Sequence, residues 1–243
     1  MRDRYRALML LTPPLSVGVL QRRYKRFLAD ITSAEGKPLT VHCPNTGAMT
    51  GCDQPGSEIW YSRSNNPARK YAHTLEVVVT RTGTAGINSA RANGLFAEVL
   101  QVDRTTLPEL AEVELVRAEA PIPDDRGRFD FLLSGGGRDC YVEVKSVTLC
   151  DEAGTGLFPD AVSTRALRHI EVLQRRVEAG DRGILIFCAQ HSGIRRIRPA
   201  DEIDPSYGAA LRAAMRMGVE IYGCGCRLSP DEIRIDRRLP VEF

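Results

Sequence analysis

The 243-residue chain has no apolar run approaching the ~20 residues a membrane-spanning helix needs, which excludes that class of protein and argues against a membrane partner. Its start, MRDRYRALMLLTPPL, has a charged head but only a short apolar stretch broken at Pro13-Pro14, a poor match to a secretory signal. The seven cysteines are odd in number and scattered, which excludes a disulfide framework and fits a reducing, cytoplasmic location. Cys224-Gly225-Cys226 lacks the spacing of a zinc knuckle or a C-x-x-C redox pair and reads as strand packing. Lysine is scarce as well. Of 33 basic residues only Lys25, Lys37, Lys70 and Lys145 are lysines, so each lysine position is informative.

What is present is an ordinary globular composition, 43% hydrophobic and 26% charged, in a chain long enough for one large domain or two small ones. The net charge of +2 hides a split. Residues 1–80 hold 11 Lys+Arg against 6 Asp+Glu, and residues 81–243 hold 22 against 25. A basic first third suits a polyanion, although a solvated, basic β surface would look the same. The texture divides in the same region, and we expect domains at 1–85 and 86–243. In the first, SVGVLQRRYKRFLADI, PLTVHC, EIWYS and YAHTLEVVVT read as short strands between turn signals, the pattern of a small OB-like barrel. In the second, ARANGLFAEVLQ reads as a helix and EVELVRAEA as a strand. Val162, Ala166, Leu167, Ile170, Leu173 and Val177 form a helical stripe, which Ser163 or Thr164 could cap. GILIFCA is a buried strand. A second helix carries Leu211, Met215 and Met217, and VEIYGC follows as a strand. The fold class expected is α/β (α+β), a barrel followed by a mixed-sheet domain.

The densest chemistry lies in RFDFLLSGGGRDCYVEVKSVTL, residues 128–149. Two alternating strands flank a Ser-Gly-Gly-Gly turn, so they should pair antiparallel. A loop from Gly135 to Arg138 would pair Ser134 with Asp139 and place Asp130 opposite Glu143, with Lys145 on the same face as Glu143. Two carboxylates with one ammonium can hold Mg²⁺ or Mn²⁺, which take hard oxygen ligands and leave positions for water and phosphate. The metal would acidify a bound water, and a compact ammonium would offset charge building on phosphorus. Asp130, a gap, then Glu143-x-Lys145 resembles the signature of PD-(D/E)XK nucleases, and the order helix, three strands, helix, strand resembles their core. A half-buried hairpin with an exposed Glu/Lys pair is the plainer alternative.

RRYKRFLADI with LTVHCPNTGAMTGC, then PGSEIWYSRSNNPARKYAHTLE, DCYVEVKSVTL, FPDAVSTRALRHIEVL and the closing LPVEF resemble the sugar fermentation stimulation protein A family over almost the whole chain. The resemblance implies an OB-like domain joined to a PD-(D/E)XK-type domain. It also implies binding of DNA, duplex or single-stranded, with little sequence preference, and a regulatory link to sugar (maltose) utilisation. It places the nuclease signature on Asp130, Glu143 and Lys145, and makes Glu98 a further acidic ligand. Three roles stay open: a metal-dependent deoxyribonuclease, a DNA-binding regulator that does not cut, and an enzyme of some other phosphate ester. Self-association into a homo-oligomer also stays open.

The remaining motifs are basic and aromatic. Arg22, Arg23, Tyr24, Lys25 and Arg26 would offer phosphate contacts and a stacking face on the barrel, or simply a charged edge strand. On strand alternation Arg22, Tyr24 and Arg26 share one face, and Arg23, Lys25 and Phe27 the other. Arg69, Lys70, Tyr71 and His73 repeat the theme more weakly. His42-Cys43-Pro44-Asn45-Thr46-Gly47 reads as a structural turn. His169, beside the helical stripe, reads as a satisfied, half-buried histidine.

Overall fold

The computed structural model describes residues 11–123 and 125–243, so the charged head and apolar stretch of residues 1–10 lie outside the described residues. The barrel is built from β1 (Ser16–Tyr24), β2 (Leu28–Ser33), β3 (Pro38–His42), β4 (Glu58–Arg63) and β5 (His73–Thr80), with a short β6 (Gly83–Gly86) added to β5. Alternation positions the side chains: along β1, Gly18 and Leu20 point inward while Val17 and Val19 point out. A Cβ on Gly18 would lie 2.7 Å from the Thr32 carbonyl oxygen, so β2 can approach this closely only at a glycine. The strand order is β3-β2-β1-β4-β5-β6, and a parallel contact between His42 and Thr74 closes β3 against β5. Five strands closed in this order form an OB barrel, filled by Leu20, Ile31, Val41, Ile59, Leu75 and Val78.

One expectation is corrected here. SVGVLQRRYKRFLADI is not one strand. The chain turns at Lys25 and Arg26, whose φ angles of 50° and 64° are left-handed, and β1 and β2 form a hairpin. Side chains of this size rarely adopt that conformation, and tertiary bonds hold it. Arg23 Nη2 donates to the carbonyls of Arg26 (3.0 Å), Asn45 (3.0 Å) and Gly47 (2.9 Å), and Arg26 Nε donates to that of Thr46 (3.1 Å). Strand alternation therefore stops at Tyr24 and assigns no face to Lys25, Arg26 or Phe27.

The second domain is a six-stranded sheet in the order β15-β14-β12-β9-β8-β7. Its strands are β7 (Glu114–Pro121), β8 (Arg128–Gly135), β9 (Arg138–Val147), β12 (Arg182–Ala189), β14 (Glu220–Leu228) and β15 (Ile233–Leu239). A small sheet of β10 (Leu149–Cys150), β11 (Thr155–Phe158) and β13 (Arg196–Pro199) stands beside it. β9, β12 and β14 run parallel, and the crossovers are α2 (Thr164–Glu178) and α3 (Pro205–Arg216). α1 (Arg91–Val102) precedes β7. Helices on both faces bury β12 from Gly183 to Ala189, so its sequence is continuously apolar. Val142, Val144, Ile184 and Ile186 pack with Leu95 and Phe96 of α1. Tyr141, Leu185 and Phe187 pack with Ile170 and Leu173 of α2 and Leu211 of α3.

Local signals set the crossover helices. Ser163 caps α2, its Oγ accepting the Ala166 N–H at 3.1 Å, and Asp204 caps α3 by accepting from Tyr207 N–H at 3.0 Å. Two stripe assignments are corrected. Val162 precedes α2 and is 72% exposed, and Met215 and Met217 point outward, the inner face of α3 being Tyr207, Leu211 and Ala214. Cys224 and Cys226 are buried in β14 on the α1 side, as strand packing requires. The two domains are tied by Glu76 of β5, whose carboxylate accepts from Ser62 Oγ (2.7 Å), Asn88 Nδ2 (2.8 Å) and Arg91 Nε of α1 (2.8 Å).

Candidate metal and nucleic-acid site

The β8–β9 hairpin keeps the expected register. Ser134 pairs with Asp139, and Gly135 also pairs with Arg138, so the loop shrinks to Gly136-Gly137. Both glycines have positive φ (63° and 78°), which a two-residue hairpin turn of this hand demands. The ladder ends one pair short of Asp130, at Phe131–Val142. Where the strands part, Asp130 takes the place of the lost partner. Its Oδ2 accepts the Val144 N–H at 2.7 Å, and its Oδ1 accepts from Asn93 Nδ2 of α1 at 2.7 Å.

Period-two alternation turns Glu143 and Lys145 away from Val142 and Val144, toward α2. Glu143 is 3% exposed. Its Oε1 accepts from Lys145 Nζ at 2.6 Å and is also hydrogen-bonded to His169 Nδ1, while Lys145 Nζ lies 3.2 Å from that same nitrogen. A single Nδ1 either donates to Glu143 or accepts from Lys145, so three groups compete around one carboxylate oxygen. The other oxygen, Glu143 Oε2, is buried with no partner. Burial pushes the Glu143 carboxyl up, but the His169 bond and the Lys145 charge outweigh it, and its pKa is lowered. Asp130 shifts the other way. Burial and the Glu143 charge raise its pKa against the Val144 and Asn93 bonds and the charge of Lys145.

The donor set fits a hard divalent cation in part. Asp130 and Glu143 interact as like charges, and Glu143 Oε2 is a buried oxygen with no partner, the group a cation would satisfy. The third carboxylate is not gathered with them. Glu98 lies on α1, where burial raises its pKa to about 7 against the opposing charge of Arg91, and its own Oε2 is also unpartnered. Among the described residues no three His, Cys, Asp or Glu side chains come together as metal ligands. The expected ligands Asp130, Glu143 and Glu98 are thus not gathered as a group of three in this structure.

The barrel's basic residues are largely engaged. Arg22 pairs with Asp30 (2.8 Å) and lies 5.0 Å over the ring of Tyr24, whose hydroxyl donates to the same carboxylate at 3.1 Å. Arg23 and Arg26 hold the 45–47 loop, Arg69 donates to Thr74 Oγ1 (3.1 Å), and Lys70 stands 5.7 Å over Tyr71. In His42-Cys43-Pro44-Asn45-Thr46-Gly47, His42 ends β3 and the chain then bends at Gly47, where Asn45 Oδ1 accepts the Gly47 N–H at 2.8 Å.

Sequence reasoning missed three participants. His169 was legible only as a residue beside the helical stripe, since its contact with Glu143 spans 26 positions. Asn93 carries no motif of its own. A cavity of about 480 Å³ beside His169 is lined by Arg126, Arg128, Arg165 and Arg168, from two segments that only the fold brings together.

Comparison with known proteins places this geometry. Residues 90–232 match the sugar fermentation stimulation protein RE domain, and residues 22–87 match the SfsA N-terminal OB domain. A sugar fermentation stimulation protein homolog of Hahella chejuensis is 51% identical over 92% of this chain and 93% of its own length. One from Alkalilimnicola ehrlichii is 48% identical over 96% and 99%. The solved structure of Pyrococcus furiosus SfsA in complex with Ca²⁺ superposes with a TM-score of 0.85 at 25% identity, covering 97% of this chain and 99% of that one. The chain belongs to the sugar fermentation stimulation protein family.

Proposed function

We propose that the protein binds DNA through its phosphates, with little dependence on sequence, and that Asp130 and Glu143 hold Mg²⁺ or Mn²⁺ beside Lys145 to cleave the phosphodiester backbone. The observation that carries the reading is Glu143, a buried carboxylate with one crowded oxygen and one unpartnered oxygen, next to a second carboxylate at the point where β8 and β9 part. The Pyrococcus furiosus relative was solved in complex with Ca²⁺, another cation that prefers oxygen donors. When bound, a divalent cation supplies polarisation of a phosphoryl oxygen and a more acidic water. Lys145, 13% exposed, offers a compact ammonium to negative charge that develops on the phosphate. His169 Nδ1 either donates to Glu143 or accepts from Lys145, and so sets which of them is left to the substrate.

A second reading is a DNA-binding regulator that does not cut, acting on sugar utilisation through occupancy of DNA. One observation favours it: both Asp130 oxygens already accept hydrogen bonds, from Asn93 and Val144, which leaves only one unpartnered oxygen on the two carboxylates. Cleavage of single-stranded, duplex and branched DNA in Mg²⁺ and Mn²⁺ separates the two, with Lys145→Ala and Asp130→Asn beside the parent. Loss of one such electrostatic contact costs about 10²–10³-fold in rate, so Lys145→Ala should lose cleavage while keeping DNA affinity. Equal cleavage by all three preparations assigns the activity to a contaminant. No cleavage by a metal-loaded parent leaves the regulator.

A further inference from the structure

The second domain is acidic overall, with 22 basic against 25 acidic residues over positions 81–243. Most of its arginines stand in ion pairs: Arg182 with Glu220, Arg198 with Glu202, Arg212 with Asp201 and Arg176 with Asp181. The cavity beside His169 is different. Among the described residues four arginines line it and no acidic residue does. Arg165, on α2, has no ionic or hydrogen-bonding partner among the described residues, and neither does the side chain of Arg126, in the turn before β8. Arg128 is loosely paired, 4.0 Å from an exposed Glu119. Arg168 is the fixed member. It pairs with Asp125 and donates to the Arg126 carbonyl at 2.9 Å, which pins the turn carrying Arg126 and Arg128 to α2. All four are exposed and their like charges face one concave surface, so an anion held among them would relieve their mutual repulsion.

From this arrangement we propose that the cavity is a seat for the sugar-phosphate backbone of DNA, contacted by Arg126, Arg165 and Arg128, so that the second domain and not the barrel alone carries DNA. The inference rests on the DNA-binding reading above and locates it. His169 lines the cavity and also contacts Glu143, so a strand held by the arginines would lie against the side chain that borders the carboxylate site. Guanidinium forks suit the task because they bind phosphate bidentately and stay charged at any physiological pH. Besides the arginines and His169 the lining is Ile122, Gly127, Thr164 and Val172, which offer little to read a base edge. Binding there should be indifferent to sequence.

The test is the salt dependence of binding to labelled duplex and single-stranded DNA, measured by fluorescence anisotropy. Arg126→Ser with Arg165→Ser removes two cations that support nothing else in the fold, and an unchanged melting temperature verifies it. Each lost phosphate contact removes ~0.9 from the slope of log affinity against log salt on duplex DNA, so the double variant should be shallower by about 2. Arg165→Lys in an otherwise unchanged chain should retain the parental slope. The control is Lys25→Ser with Lys70→Ser on the barrel. If the barrel pair flattens the slope and the arginine pair leaves it at the parental value, this inference is overturned while DNA binding stands. If the parent shows no salt-dependent binding, the DNA-binding reading falls and this inference falls with it.

Discussion

Glu76 is the place where a single atom change should loosen the whole molecule. It is 3% exposed, and its carboxylate gathers Ser62 of the barrel, Asn88 of the connection and Arg91 of α1 at 2.7, 2.8 and 2.8 Å. Glu76→Gln keeps the shape but removes the charge and turns one acceptor into a donor facing the donors of Asn88 or Arg91. Breaking a buried pair by removing one partner costs about 3–5 kcal/mol, because the other charge is left uncompensated. The Arg91 side chain is 28% exposed and can recover some hydration, which puts the cost near the lower end, about 3 kcal/mol. At about 2–4 °C per kcal/mol for a chain of this size, Tm should fall by about 6–12 °C. Ser62 and Glu76 belong to the barrel and Arg91 to the second domain, so calorimetry should also show the transition broaden or divide. Arg91→Met should cost less in the Glu76→Gln background than in the parent, with a coupling of about 1–3 kcal/mol. A Tm within about 2 °C of the parent, with additive double-mutant behaviour, would refute the reasoning.

Millimolar Mg²⁺ or Mn²⁺ should raise the melting temperature by relieving the Asp130–Glu143 repulsion, and Asp130→Asn should abolish that increment in a thermal shift assay. Burial lowers the pKa of His191 from 6.5 to about 4, where its Nδ1 accepts the Gly193 N–H at 3.1 Å. The unfolded chain therefore binds the proton more readily; the contribution is intact above pH 6.5 and is lost as pH falls toward 4, by about 3 kcal/mol in all. His191→Asn should flatten the urea-derived stability profile across that window. Ser163→Ala removes the cap of α2 and should cost about 1 kcal/mol by urea denaturation, with no change in salt-dependent DNA binding.

The parts of this structure visible in the sequence are those fixed by short-range geometry. The Ser-Gly-Gly-Gly turn and flanking alternation were enough to pair Ser134 with Asp139, because register in a hairpin follows from its loop. Ser163 was legible as one of two candidate caps of α2. The break at Lys25 and Arg26 was not, because nothing local makes a lysine and an arginine left-handed. The conformation is held by Arg23 and Arg26 reaching carbonyls some twenty positions away. The site divides on the same line. Glu143 and Lys145 share a face by period two alone, but the oxygen they leave to His169 depends on where α2 crosses β9. That crossing is a packing outcome of Leu173, Ile170 and Tyr141.

Charge is the instructive case, since counting it by segment pointed to the barrel. A count ignores partners. Of the barrel's five-residue basic run, Arg22 is held by Asp30, and Arg23 and Arg26 are bound to backbone carbonyls that fix a turn. The acidic domain has the larger supply of arginines, and its carboxylates remove most of them pairwise while leaving Arg126 and Arg165 of the His169 cavity without an acidic partner among the described residues. What a phosphate meets is the charge left after pairing, concentrated where low-dielectric walls focus it. A domain with a net charge of −3 can therefore present an anion site where pairing leaves some of its arginines without an acidic partner. Sequence composition sets the total, but only the fold decides which cations remain to be used.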